Sequence, residues 1–194
     1  MSLLAFIRHG ATDWNAERRL QGRADRPLSV QGKSEVQRWH LPPFLYDAYW
    51  AVSPLGRARE TAALLGFPEC MVESALVETD WGDWEGWTRE ELIGKLGLET
   101  VDRNPLGRDF RPPNGESPRQ VWNRLSSWVG VIARAGKPAV AVTHRGVIRA
   151  AYAEATGWDM VSPPFEELSA SAVHLFLART DGTVGLIRAN LMLL

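Results

Sequence analysis

The chain has 194 residues, 45% of them hydrophobic and 23% charged, with 22 Lys and Arg against 23 Asp and Glu for a formal charge of -1. That length suits one domain able to bury a substantial core and carry a cleft, and no stretch has the polar, low-complexity character of a disordered segment. The balanced charge excludes a global basic field for nucleic acid or an anionic membrane; with one cysteine, Cys70, and an apolar opening over 1–7 too short for a signal peptide or membrane span, a reducing cytoplasm is expected.

In chain order, the non-alternating apolar run over 3–7 predicts a strand buried on both faces, ending directly at Arg8-His9-Gly10. A helix over 29–39 and a strand over 49–52 follow. Ser53-Pro54 then reads as an N-cap with proline at the first helical position, opening a helix that runs to Gly66 and carries Arg57 in its first turns. The segment 81–115, rich in Gly, Trp and Arg, holds no convincing strand and is expected to form a helical excursion or lid. Inside it, Thr88 and Glu91 form a capping box for a helix to Leu96. Ser117-Pro118-x-Gln120 repeats the device, and Val121, Trp122, Leu125, Trp128, Val129 and Ile132 form one apolar face, with a stop near Gly136-Lys137-Pro138.

A strand over 139–142 ends at Thr143-His144-Arg145-Gly146, a helix over 145–156 stops at Gly157, and strands over 172–177 and 184–190 are joined by a turn at Asp181-Gly182. Alternating strands and helices predict a three-layer α/β/α sandwich with a mostly parallel central sheet, whose ligands bind beyond the carboxyl ends of the strands. His9, Ser53 and His144 all fall at such ends.

Arg8, Arg57, His9 and His144 are thus expected to converge where helix N-termini present free amides, which suits a phosphate dianion. A histidine attacks phosphorus only through a neutral ring nitrogen; flanking arginines disfavour the imidazolium and stabilise charge on the transferring phosphoryl oxygens. His144 serves best as a second donor to those oxygens. A leaving alkoxide needs a proton, for which the chain offers Glu78, Asp80, Asp83 and Glu85. Singly, each of these residues reads as an ordinary strand end, helix face, loop carboxylate or cap. Trp81, Trp84 and Trp87 serve either as a pocket wall or, more commonly for such residues, as packing. No His and carboxylate spacing suggests a metal site, and the chemistry needs neither metal nor cofactor.

Arg8-His9-Gly10-Ala11-Thr12-x-Trp14-Asn15 and Gln21-Gly22-x-x-Asp25-x-Pro27-Leu28-Ser29 resemble the opening signature of the histidine phosphatase superfamily, in its phosphoglycerate mutase-like branch. Ser53-Pro54-Leu55-x-Arg57-Ala58-x-x-Thr61-Ala62 resembles its second arginine motif, Leu76-x-Glu78-x-x-x-Gly82-x-x-Glu85-Gly86 its acid motif, and Pro113-x-Gly115-Glu116-Ser117 and Val142-Thr143-His144 its last two. The resemblance implies a phosphohistidine on His9, a phosphate clamped by Arg8, Arg57 and His144, and proton donation by Glu78. Asn15, Gln21 and Gly22 match positions that line phosphate or substrate, and Glu85 matches a structural one. The family usually has glycine directly after the second histidine, whereas this chain has Arg145 and then Gly146. Arg145 either adds a cation to the pocket or turns to solvent; the unfavourable field at a helix N-terminus tips the expectation towards solvent.

Phosphatase and mutase share all of these residues. The modest stretch 87–114 lacks the adjacent arginine pair that mutases present to a substrate carboxylate, with only Arg103, Arg108 and Arg111 scattered through it. This favours a phosphatase acting on a small phosphorylated metabolite, with no nucleic acid or membrane partner and self-association left open. A cofactor-dependent phosphoglycerate mutase is the alternative. A protein phosphohistidine phosphatase and a non-catalytic phosphate-binding module are further ones, disfavoured by the presence of the Glu78 region and of both acid and nucleophile.

Overall fold

The computed structural model describes residues 1–103 and 107–194; the side chains of Asp102 and Arg103 lie outside what it describes. Strands β1 (Ser2–Arg8), β2 (Tyr49–Val52), β3 (Met71–Val72), β4 (Ala139–Thr143), β5 (Ala172–Ala178) and β6 (Val184–Met192) form one sheet in the order β3-β2-β4-β1-β5-β6. The pairings from β3 to β1 are parallel, and β5 and β6 add antiparallel at one edge. Helices α1 (Asp13–Ala16), α2 (Val30–Val36), α3 (Gly56–Leu64), α4 (Arg89–Leu96), α5 (Leu98–Arg103), α6 (Pro118–Ala135) and α7 (Arg145–Thr156) complete the order. Among the described residues no helix is long and apolar enough to cross a membrane.

Side chains alternate across a strand, so a sheet buried on both faces feeds two cores. Leu4, Phe6, Ala139 and Ala141 join Val121, Leu125 and Ile148 of α6 and α7 in one core; Ala5, Ile7, Val140 and Val142 join Val36, Ala58 and Ala62 of α2 and α3 in the other. The mixed α/β sandwich expected from the pattern is the one observed. The excursion carries α4 and α5 and a small core of its own, in which Trp84 packs with Leu92 and Val101 while Trp81, Trp87 and Phe110 close over them.

Register places the chemistry. Leu4 pairs with Ala139 and Arg8 with Thr143, while Val52 pairs with Val142. The His9 amide donates to the Thr143 carbonyl (2.9 Å) and the Ser53 amide to the Val142 carbonyl (3.0 Å), so His9, Ser53 and His144 leave three neighbouring strands side by side.

The capping boxes at Thr88 and Ser117 are present, and α7 ends at Gly157 in the left-handed region. Ser53, however, is not the N-cap of α3: that position is Leu55, in extended conformation, while the Ser53 hydroxyl, two residues earlier, meets both His144 and the Leu55 amide. The expected helix over 29–39 closes at Val36, and the two-residue β3 and one-turn α1 went unpredicted because neither is long enough to show a period.

Candidate active site

His9 is almost fully buried, and its Nδ1 lies 2.7 Å from the Gly10 carbonyl. A carbonyl only accepts, so Nδ1 carries the proton and Nε2 keeps its lone pair. Arg57 Nε donates to that Nε2 (3.3 Å). Burial, then Arg8 and then Arg57, holds the imidazole well below its usual 6.5, so the ring is neutral at physiological pH. His144 packs against it with ring centroids 5.0 Å apart. Its Nε2 lies 2.6 Å from Ser53 Oγ, which also accepts from the Leu55 amide (3.4 Å), and its buried Nδ1 has no hydrogen-bond partner.

Arg57 is fully buried, and its guanidinium is fixed by the carbonyls of Gly22 (2.7 Å) and Ala24 (2.9 Å). Those carbonyls belong to a loop that Glu85 holds: Glu85 Oε1 accepts from the Gly22 amide (3.1 Å) and from the Ala24 amide. A side chain at Gly22 would strike the Thr79 carbonyl and Trp81 amide, so the loop also seats on the acid segment. Glu85→Ala is expected to cost about 1–3 kcal/mol by stripping these amides of their acceptor, and to release Arg57. Urea unfolding measures the first effect, and phosphate affinity measures the second.

Glu78 is buried; its carboxylate accepts from the Thr79 amide (2.7 Å) and the Gly146 amide (3.1 Å). Burial raises its pKa from the ordinary carboxyl value, and the two amides, Arg57 and Arg8 only moderate that rise. A Cβ at position 146 would collide with Thr79 Oγ1 and Glu78 Oε1, so a glycine is required here by the docking of the acid against the start of α7. Arg124 of α6 braces the same segment from behind, donating to the carbonyls of Val77 (2.7 Å) and Ala75 and to Glu116 Oε1 (2.9 Å). Sequence reasoning missed Arg124, and Glu116 in the Gly-Glu-Ser motif was the available signal.

Arg8, His9, Asn15, Gln21, Glu78 and Arg145 line a cavity of about 400 Å³, with Trp81 and Phe110 contributed by the excursion. Arg57, His144 and Gly22 stand behind His9 rather than on that lining. Of the other acids considered, Asp80 accepts from the Gly82 amide and Asp83 from Asn114. Arg108 pairs with Glu154, and Arg111 donates to the Gly115 carbonyl. Arg145 is exposed, as expected, yet it lines the cavity mouth rather than pointing away. Among the described residues, five buried side-chain N or O atoms lack a hydrogen-bond partner, and three of them, Arg8 Nε, Gln21 Nε2 and His144 Nδ1, lie here. Buried donors left unpaired are costly, which marks a site built to receive acceptor oxygens. A larger, more open groove of about 720 Å³, lined by Arg23, Val77, Trp128 and Val131, holds none of the cationic cluster.

The arrangement offers a neutral, buried imidazole with an unprotonated ring nitrogen, cations around it and a protonatable carboxyl nearby. Known proteins share the frame. A phosphoglycerate mutase of Thermus thermophilus is 32% identical and superimposes with a TM-score of 0.71, covering 97% of this chain and 99% of that one. A mycobacterial glucosyl-3-phosphoglycerate phosphatase, solved with VO3, is 25% identical with a TM-score of 0.80, covering 98% and 99%. A 2,3-bisphosphoglycerate-dependent phosphoglycerate mutase of Gloeobacter violaceus is 32% identical over 176 residues, 84% of this chain and 78% of that protein. The model of the histidine phosphatase superfamily, branch 1, matches residues 4–187, and the chain belongs to that superfamily.

Proposed function

We propose that the chain hydrolyses phosphomonoesters of small metabolites in a reducing cytoplasm, through a phosphohistidine on His9. The observation that carries this reading is the unprotonated Nε2 of a histidine kept neutral by burial and two guanidinium groups. Nε2 attacks phosphorus as the ester P–O bond breaks. Glu78, whose protonated form burial favours, gives its proton to the departing alkoxide, and Arg8, Arg57 and the His144 N–H take the charge of the phosphoryl oxygens. The Glu78 carboxylate then takes a proton from water attacking the phosphohistidine, which frees phosphate and His9. Asn15 and Gln21, on the cavity wall, contact phosphate or substrate, and Gly22 acts through its hold on Arg57. The guanidinium groups supply the positive charge, so no metal ion or cofactor is required.

Hydrolysis is favoured over transfer because Arg108 and Arg111 of the excursion are engaged within the protein rather than offered to a substrate carboxylate. The mutase reading is supported by the names of two of the relatives. Phosphate release from a metabolite panel in the presence of a chelator, alongside phosphoglycerate isomerisation with and without bisphosphoglycerate primer, separates the two. Primer-dependent isomerisation outpacing release would overturn the phosphatase reading.

The pH dependence follows from the two environments. His9 loses activity on protonation, and its pKa lies well below 6.5; Glu78 loses activity on ionisation, and its pKa lies above 4.5. The kcat/KM profile is therefore expected to show no acid limb in the ordinary histidine range and to fall as the pH rises through the raised pKa of Glu78, measured with an alkyl phosphate. An acid limb near 6.5 would contradict the assignment of His9.

A further inference from the structure

We propose that Ser53 is a positioning residue for phosphoryl transfer: its hydroxyl donates to His144 Nε2, which places the His144 proton on Nδ1 and makes that atom the N–H donor that phosphoryl oxygens meet. The inference deepens the phosphatase reading and rests on it for the identity of the group received.

The two histidines of the site need opposite protonation. His9 must keep a lone pair at Nε2, and the Gly10 carbonyl against Nδ1 secures it, because a carbonyl can only accept. His144, with its ring centroid 5.0 Å from that of His9, must present a proton instead. Its Nε2 meets Ser53 Oγ at 2.6 Å, and a hydroxyl can give or take a hydrogen bond, so this contact alone admits either tautomer. Burial, then His9, Arg57 and Arg8, holds His144 well below the usual 6.5, so the ring is neutral and carries one proton.

The surroundings of Ser53 decide between the tautomers. Ser53 is fully buried, and among the described residues its hydroxyl has one other partner, the Leu55 amide (3.4 Å), which can only donate. With the His144 proton on Nε2, Oγ would accept twice, its own O–H would be buried without an acceptor, and Nδ1 would turn a lone pair towards the phosphoryl oxygens. With the proton on Nδ1, the Leu55 amide fills a lone pair of Oγ and the Ser53 O–H fills the lone pair of Nε2. Every group is then paired except Nδ1 itself, which is buried without a partner in the protein; a phosphoryl group on the neighbouring His9 supplies its acceptor. The backbone holds Ser53 in place for this, its amide donating to the Val142 carbonyl (3.0 Å) at the end of β4, the strand that delivers His144. Leu55 is the N-cap of α3, which carries Arg57, so one hydroxyl joins the strand end bearing the second histidine to the helix bearing the second arginine.

The test reads the proton directly. Two-bond nitrogen–proton correlation spectra distinguish the imidazole tautomers, and of the four histidines in the chain His144 is assigned as the signal missing from His144→Gln protein. Native His144 is expected to carry its proton on Nδ1, and Ser53→Ala protein is expected to lose that preference. Calorimetric affinity for inorganic phosphate is expected to fall about tenfold in Ser53→Ala, the scale of one hydrogen bond to a buried partner. The same substitution made in His144→Gln protein is expected to change affinity by less than about twofold, since Ser53 then has no imidazole to act through. A proton on Nε2 of native His144 would overturn the proposal, as would an equal change of affinity in the two backgrounds, the mark of a serine that only supports the fold. Both measurements are made without turnover, so absence of hydrolysis in the native protein would overturn the phosphatase reading and leave the tautomer result standing.

Discussion

His9→Ala is expected to lower kcat/KM by on the order of 10⁴- to 10⁶-fold, the scale on which loss of a covalent nucleophile is felt. Substitution leaves the cations in place: Arg57 keeps its hydrogen bonds to Gly22 and Ala24, and Gly10 keeps the bond from its amide to Thr61 Oγ1 (3.0 Å). The variant should therefore still bind inorganic phosphate or vanadate while failing to form an acid-labile phosphoenzyme. Phosphate release, calorimetry and labelling with a phosphate donor read the three properties separately. Residual activity within tenfold of native, or acid-labile label persisting in the variant, would remove His9 from the mechanism.

Glu78→Gln is expected to divide substrates by leaving group. With alkyl phosphates, whose alkoxide cannot depart unprotonated, kcat should fall on the order of 10²- to 10⁴-fold. With an aryl phosphate, whose phenolate departs readily, the fall in the phosphorylation step should be far smaller. Glutamine retains an oxygen for the Thr79 and Gly146 amides, so the docking of this segment against α7 survives and the effect is chemical. Burst kinetics on both ester classes measure it. A uniform loss across both would instead assign Glu78 to positioning, through its hold on Gly146.

Much of the fold was legible because its signals are local. Capping boxes at Thr88 and Ser117 involve residues three apart, and the face of α6 repeats within a few turns. The two flanking cores followed from short apolar runs that have no polar face to show solvent. The start of α3 differs from the expectation at Ser53-Pro54: the helix opens after Leu55, and the Ser53 hydroxyl reaches His144, 91 residues away. Nothing near Ser53 in the chain announces that partner.

The residues of the site were legible as types at strand ends, and their order through five motifs pointed to phosphoryl chemistry. Geometry added why they work as one unit. Glu85 holds the loop that fixes Arg57, and Arg124 braces the acid segment. Gly146 leaves room for Glu78 to approach across 68 residues of sequence.

By itself the sequence determined the α/β sandwich, the superfamily signature and the identities of nucleophile and acid candidates, because these depend on local periodicity and on residue chemistry. Only the tertiary structure decided that His9 Nε2 is the unprotonated ring nitrogen, that Glu78 is buried against Gly146, and that Arg145 lies on the cavity wall. Hydrogen bonding and desolvation set those properties, and both are fixed by parallel strand register and by segments that meet only when the chain has folded.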